Sequence, residues 1–201
     1  MKIAHIVSTY PPYYGGMGNV VFQMVQHLAD RGHEVQVFTP GYYPEEEIKK
    51  PEVKEADEHA PEVAEQIETV RRVAPVLSYG NAAYIPQVEK ELGDCDIVHL
   101  HYPFFGVGNM VCRWRFKNPD KRLVVTYHMD ARAGGFKGLF FKWYTRKWMP
   151  KILNAADVAL VSSFDYVEES DARDLYTKNT ARWHELPFGV DIERFQPREK
   201  S

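Results

Sequence analysis

Residues Lys2–Ser8 read Lys-Ile-Ala-His-Ile-Val-Ser and run straight into Thr9–Gly18, Thr-Tyr-Pro-Pro-Tyr-Tyr-Gly-Gly-Met-Gly. Val21, Met24, Val25 and Leu28 then recur at i, i+3, i+4 and i+7, the spacing of one buried helical face. A second apolar run, Val35–Phe38, follows, so the chain opens strand, glycine loop, helix, strand. That is a βαβ unit, whose two strands are parallel because the helix carries the chain back to its starting edge. Gly15, Gly16 and Gly18 let the backbone approach a ligand closely. The helix they open aims free N–H groups and a partial positive charge into the same space, which suits a phosphate.

A dinucleotide enzyme is one expectation for such a loop, and two of its parts are missing. Residues 16–21 carry the first two glycines of G-x-G-x-x-G, but the third position is Val21. The acid expected about 20 residues on, at the end of the second strand, is replaced by Thr39, Pro40 and Gly41. NAD binding is therefore not expected.

Alternation continues downstream. Glu45–Glu68 is a low-complexity stretch of Glu, Lys, Ala and Pro, expected to be a solvated insertion. Strands are predicted at Val70–Val76, Asp96–Tyr102, Leu123–Tyr127, Val158–Val161 and His184–Phe188. Helices are predicted around Pro86–Leu92 and over Phe136–Asn154, the second bent near Pro150. Ser162 with Asp165 reads as a capping box for a further helix. The fold class is α/β, a Rossmann-like parallel sheet with helices on both faces.

Composition bounds the function. The 201 residues are 44% hydrophobic and carry a formal charge of −3, which fits one globular domain and argues against a general nucleic-acid binder. Cys95 and Cys112 form no C-x-x-C pair and are expected as buried thiols in a reducing cytosol. Met1 leads directly into a core strand and no apolar run approaches membrane-spanning length, so a cytoplasmic protein, at most peripheral on a membrane, is expected.

Ligands of parallel sheets collect at the carboxyl ends of the strands, which singles out the Tyr10–Gly18 loop, His101 with Tyr102, His128 with Asp130, and Ser162 with Ser163. His99 and His101 share one face of a strand, and His128 with Asp130 repeats the spacing, so a metal has to be weighed. Without a third ligand fixed by sequence the set is incomplete, and His99 is expected to be packed in the sheet with its nitrogens satisfied.

Six segments in order resemble glycosyltransferase family four: Tyr14–Asn19, Leu28–Val35, Asp96–His101, Thr126–Asp130, Ala155–Ser163 and Leu186–Pro197. One departure is Phe188, where the family often has Asn before Gly-Val-Asp. The resemblance implies a retaining transferase of GT-B architecture that uses a nucleotide sugar and usually no metal. It makes this chain the N-terminal, acceptor-side half, either part of a longer enzyme or one subunit of a split transferase, with a second domain supplying most donor contacts. Glu185 and Glu193 match the spacing of the family's E-x7-E motif but straddle a strand and turn, and are read as coincidence. By matching position, His128 is the histidine near the transferred sugar. Asp130 is expected to hold its imidazole, bind acceptor or cap a helix. Gly15 and Gly16 face the donor phosphates, and His101 and Tyr102 line the acceptor pocket.

Residues Ala131–Ala156 contain no acid, while Arg132, Lys137, Lys142, Arg146, Lys147 and Lys151 are interleaved with Phe136, Phe140, Phe141, Trp143, Tyr144 and Trp148. Cations among aromatic rings suit a membrane interface with anionic lipid. At about 100° per residue Lys142 and Arg146 share a face nearly opposite Lys137 and Lys147. That division also fits a packed helix whose lysine stems snorkel outward. The expected partners are a nucleotide-sugar donor, a sugar or lipid-linked acceptor, the second domain and an anionic membrane surface, with no nucleic acid. A non-catalytic module tethering a partner to the membrane is the rival class.

Overall fold

Strand β1, Lys2–Ile6, sits between β2, Glu34–Pro40, and β6, Ile97–Tyr102, and the chain runs outward from it in two directions. The computed structural model describes residues 1–12, 15–42, 70–79 and 82–189. The insertion expected at 45–68 lies outside the described residues, as do Tyr14 and Glu193. On one side of β1 lie β2 and β3, Val70–Val73; on the other lie β6, β7 (Arg122–Tyr127), β8 (Val158–Val161) and β9 (Trp183–Glu185). All six pairings are parallel, in the order β3-β2-β1-β6-β7-β8-β9. The direction of winding reverses between β1 and β6, so the loops leaving their carboxyl ends diverge and open a crevice.

The period-two pattern of the strands builds two cores. Ala4, Ile6, Val98, Leu100, Leu123, Val125, Ala159 and Val161 face one way, against Met110, Val111 and Trp114 of α3 (Gly108–Lys117) and Ile152 and Leu153 of α5 (Met149–Ala155). Fully buried side chains such as Leu100 and Ile152 contribute about 2 kcal/mol each. On the other face Val7, Val35 and Val37 pack under Met17, Val21 and Val25 of α1, Gly16–Asp30. Beyond α1 that face is a groove of about 820 Å³ floored by Ile3, Ile97, Val124 and Leu160 and bordered by Leu186–Phe188.

Several elements differ from expectation. The run expected as one strand from Val70 ends at Val73, after which Leu77–Tyr79 (β4) and Ala82–Tyr84 (β5) form a separate antiparallel pair. The next helix, α2, is short, Val88–Glu91, and ends in a single 3-10 turn at Leu92–Asp94. Helix α3 was not read from sequence. The long helix divides at Trp148 into α4, Gly135–Lys147, and α5, with Pro150 in the first turn of the second piece, where its missing N–H costs nothing. The capping box is displaced by one residue. Ser163 caps α6 (Phe164–Glu168) by accepting from Tyr166 N at 3.2 Å, and Glu185 Oε1 accepts from Phe164 N at 3.0 Å. The last helix, α7, is Arg173–Lys178.

Cys95 is buried and Cys112 half-buried, both free, and burial pushes both thiols up. Among the described residues no helix is long and apolar enough to cross a membrane.

Candidate functional site

The glycines at the head of α1 divide into two kinds. A Cβ on Gly18 would lie 2.7 Å from Thr9 O and 3.2 Å from Tyr10 Cα. Gly18 is therefore needed for α1 to press on the backbone leaving β1. A Cβ on Gly16 would meet nothing within 4 Å, and one on Gly15 would meet Thr9 Oγ1 at 3.3 Å. No acidic side chain occupies the first turn of α1, so its N-terminal dipole is free to act on an anion.

Beside this turn lies a cluster of buried imidazoles. Parallel register puts His5 of β1 level with His99 of β6, and His101 level with Thr126 of β7. Residues level with one another in adjacent strands share a face, so His5, His99 and His101 converge on the α1 side, and His128, one residue past β7, completes the row. His5 Nδ1 lies 3.0 Å from His101 Nε2, and His101 Nδ1 lies 2.9 Å from His128 Nε2. His99 Nε2 is 2.7 Å from Thr126 Oγ1, the satisfied, packed imidazole that was expected. Phe188 stacks on the His128 ring at 5.5 Å.

Burial pushes the imidazoles of His5 and His128 down to about 4 and those of His99 and His101 well below the ordinary histidine range. The cluster is neutral at pH 7. One nitrogen from each of His5, His99 and His101 can be chosen so that all lie within 4.8 Å of one another. The His99 and His101 rings are stacked, with centroids at 4.3 Å and planes at 27°, so their in-plane lone pairs run side by side.

Three expectations are corrected. His101 is fully buried in the imidazole row, and Tyr102, also buried, faces the opposite side of the sheet, where it stacks on Tyr127 at 5.3 Å. Neither side chain lines an open pocket. Asp130 does not hold the His128 imidazole, whose ring partner is His101. Its carboxylate instead accepts from the Tyr127 hydroxyl, from Asp171 N at 3.1 Å and from Arg132 Nη2 at 2.7 Å, while its own N–H donates to Tyr166 Oη at 2.9 Å. It ties the loop after β7 to the α6–α7 turn. Burial pushes its pKa up, but the hydrogen bonds from Tyr127 and Arg132 outweigh that and hold the carboxyl below its usual value. Arg132 is thereby committed to Asp130 and Asp171 and is not a free surface cation.

Helix α4 turns its apolar side outward. Phe141 stacks on Phe105 at 4.8 Å and Tyr144 meets the same ring edge-on at 4.6 Å, fixing the inner face. Phe136, Leu139, Phe140 and Trp143 are exposed by 92, 62, 47 and 50%. These four and Lys147 fall within about 100° of arc, with Lys142 and Arg146 flanking. Lys147 Nζ lies 5.4 Å over the Trp143 ring. The cations thus border one outward aromatic face rather than dividing between two. Lys137 belongs to α4, but its side chain lies outside the described residues.

His5 and Thr126 were not singled out by sequence reasoning, and Phe188 was noted only as a departure from the family pattern. The signal for His5 was its place at period two within β1, between Ile3 and Val7; its partner on β6 depends on register.

A doubly wound parallel sheet with an open glycine turn and polar side chains at its central carboxyl edge is a Rossmann-like domain of the kind from which GT-B glycosyltransferases are built. The chain belongs to Glycosyltransferase Family 4, whose family model matches residues 14–194. Over 192 residues it is 28% identical to O-antigen chain mannosyltransferase C of Escherichia coli, covering 95% of this chain and 46% of that protein. A 44-residue stretch is 50% identical to glycogen synthase of Opitutus terrae, 21% of this chain and 9% of that one. Among solved structures, the catalytic domain of Starch Synthase IV from Arabidopsis thaliana, bound to ADP and acarbose, superposes with a TM-score of 0.60 at 15% identity, covering 96% of this chain and 52% of that one. An alpha-glucosyltransferase in complex with UDP-glucose and DNA containing an abasic site gives 0.59 at 12% identity, covering 96% and 43%. The chain spans less than half the length of the curated relatives it matches.

Proposed function

We propose that this chain is the acceptor-side half of a retaining nucleotide-sugar-dependent hexosyltransferase, with Gly15 and Gly16 at the donor phosphates and His128 at the transferred sugar. The observation that supports this most is the convergence of two features at one carboxyl edge of the sheet: an α1 N-terminus with open space at Gly16, and a neutral imidazole just past β7. Backbone N–H groups at a helix start stabilise phosphate charge without reorganising. A neutral imidazole hydrogen-bonds a sugar hydroxyl and orients the ring without placing a cation beside the anomeric carbon. Departure of the nucleoside diphosphate then depends on cations of the second domain, in cis or in trans, and the isolated chain is expected to be inactive. No metal is part of this scheme.

The acceptor in this reading is a lipid-linked sugar on an anionic membrane, met by the outward aromatic face of α4. Exposed rings at headgroup depth flanked by Lys142, Arg146 and Lys147 suit a peripheral protein on the cytoplasmic leaflet.

The test of the transfer reading is incorporation of labelled sugar by the full-length protein. His128→Ala is expected to lower kcat by about 100-fold, and an unchanged rate would refute the role of His128. Co-sedimentation with vesicles of phosphatidylcholine and phosphatidylglycerol tests the membrane reading. Lys142→Glu with Arg146→Glu and Lys147→Glu is expected to abolish binding at 0.1 M salt, on the order of physiological ionic strength, and undiminished binding would count against it.

A further inference from the structure

The hydrogen-bonded row His5–His101–His128 has a property that follows from counting protons. Its two links occupy four of the six ring nitrogens and hold one proton each. Three neutral imidazoles carry three protons. The third must sit at one end of the row, either on His5 Nε2 or on His128 Nδ1. His5 Nε2 is buried and has no hydrogen-bond partner among the described residues. A proton there would be a buried donor with no acceptor among the described residues, which costs the desolvation of that group. His128 Nδ1, by contrast, is not among the buried ring nitrogens left without a partner, so a proton there is not trapped.

We propose that His101 is a positioning residue: it donates Nδ1–H to His128 Nε2, accepts from His5, and so fixes His128 as the Nδ1–H tautomer, a hydrogen-bond donor to the ligand. The Nε2–H form is the commoner tautomer of a free histidine side chain, so the row imposes the rarer one. Burial supports the count, since it holds His5, His101 and His128 neutral. The rest of the surroundings agree: His99 is engaged by Thr126, and Phe188 covers one face of the His128 ring without offering it a polar atom. The inference rests on the reading of His128 as the sugar contact only for its consequence in turnover; the tautomer is a property of the chain itself.

The experiment is long-range 15N–1H correlation of the imidazole rings in uniformly labelled protein at pH 7.5, on the parent, His101→Phe and His101→Asn. The parent is expected to show His128 protonated on Nδ1. In His101→Phe the His128 proton moves to Nε2, because the ring has lost its donor. Asn places an amide N–H where the imidazole Nδ1–H stood, and His101→Asn is expected to restore the Nδ1–H form. In the full-length enzyme His101→Phe lowers kcat by about tenfold while the donor KM changes little, and His101→Asn recovers most of the loss. A parent spectrum with His128 protonated on Nε2 overturns the proposal even if no variant folds, and so does a His101→Phe spectrum identical to the parent. Zinc added at one equivalent that shifts His5, His99 and His101 together also overturns it, since their lone pairs would then converge on an ion. A tautomer that moves in His101→Phe with turnover unchanged upholds the relay and refutes instead the sugar contact at His128.

Discussion

Lowering the pH from 7.5 to 5 is the perturbation to which this fold is most exposed, because its centre is built on imidazoles that the native state keeps uncharged. His5 and His128 titrate at about 4 when folded, against 6.5 in an unfolded chain. The folded-state value lies below the unfolded one, so the unfolded chain binds more protons and stability falls as pH falls through 6.5 toward 4. At pH 5 the unfolded histidine is almost fully protonated and the folded one about a tenth so. The resulting loss is about 2 kcal/mol for each, or about 4 kcal/mol for the two. His99 and His101, shifted in the same direction, add to it. Against a total of about 5–15 kcal/mol for a domain, a large fraction of the stability is expected to be lost by pH 5. Urea titrations followed by tryptophan fluorescence at half-unit pH steps and constant ionic strength measure it. Asp130 and Asp157, whose carboxyls are held below their usual value, lose their contribution only as pH falls through the carboxylate range, so pH 5–6.5 reports the histidines. His5→Phe is expected to reduce the slope by up to about 1.4 kcal/mol per pH unit. A stability that stays constant from pH 7.5 to 5, or a His5→Phe slope equal to the parent's, would refute the reasoning.

Gly18→Ala is expected to destabilise by about 1–3 kcal/mol, since its Cβ would lie 2.7 Å from Thr9 O, whereas Gly16→Ala changes stability by less than about 1 kcal/mol and weakens nucleotide-sugar binding; urea midpoints and isothermal titration on the full-length protein separate the two. Asp157 accepts Arg115 Nε and Nη2 at 2.8 Å each and Leu123 N at 2.8 Å, so Asp157→Ala is expected to cost about 2–3 kcal/mol, with Asp157→Asn intermediate, read from chemical denaturation at pH 7.5. Trp143→Ser with Phe136→Ser is expected to leave the urea midpoint unchanged, because both rings point outward, and to weaken vesicle binding several-fold in a flotation assay.

The sheet was legible because parallel strands covered on both faces read as short apolar runs, and Asp96–Tyr102, Leu123–Tyr127 and Val158–Val161 are such runs flanked by polar residues. Helix α3 escaped because Met110, Val111 and Trp114 are interrupted by Arg113 and Arg115, and only their tertiary pairings, Arg113 with Glu89 and Arg115 with Asp157, explain why those cations sit there. The β4–β5 pair escaped for a related reason: its short segments make no pattern of their own, and it depends on Gly106, at a φ of 104°, letting the chain pass against Ala83. At the site, the placement of the glycine loop and His128 at the carboxyl edge of the sheet was readable from spacing and resemblance. The roles of Asp130, His101 and Tyr102 were not, because a strand's alternation says that two residues face apart but not which face meets which layer. Period two separates Tyr102 from His101; only the register with β1 and β7 puts His101 among imidazoles.

Phe188 bears on the ionisation of His128. The family often carries Asn at this position, a side chain that offers a donor and an acceptor. Here a phenyl ring lies on His128 at 5.5 Å with planes 23° apart, which removes a polar neighbour and lowers the dielectric around the imidazole. Both effects hold His128 neutral and leave its hydrogen-bonding character to be set from the other side, through His101. Phe188→Asn is therefore expected to raise the His128 pKa toward 6.5, because water and an amide dipole then stabilise the imidazolium. Ring-proton chemical shifts followed against pH measure it. If His128 still titrates at about 4 in that variant, the depression comes from burial by the rest of the fold alone and Phe188 has no part in tuning the site.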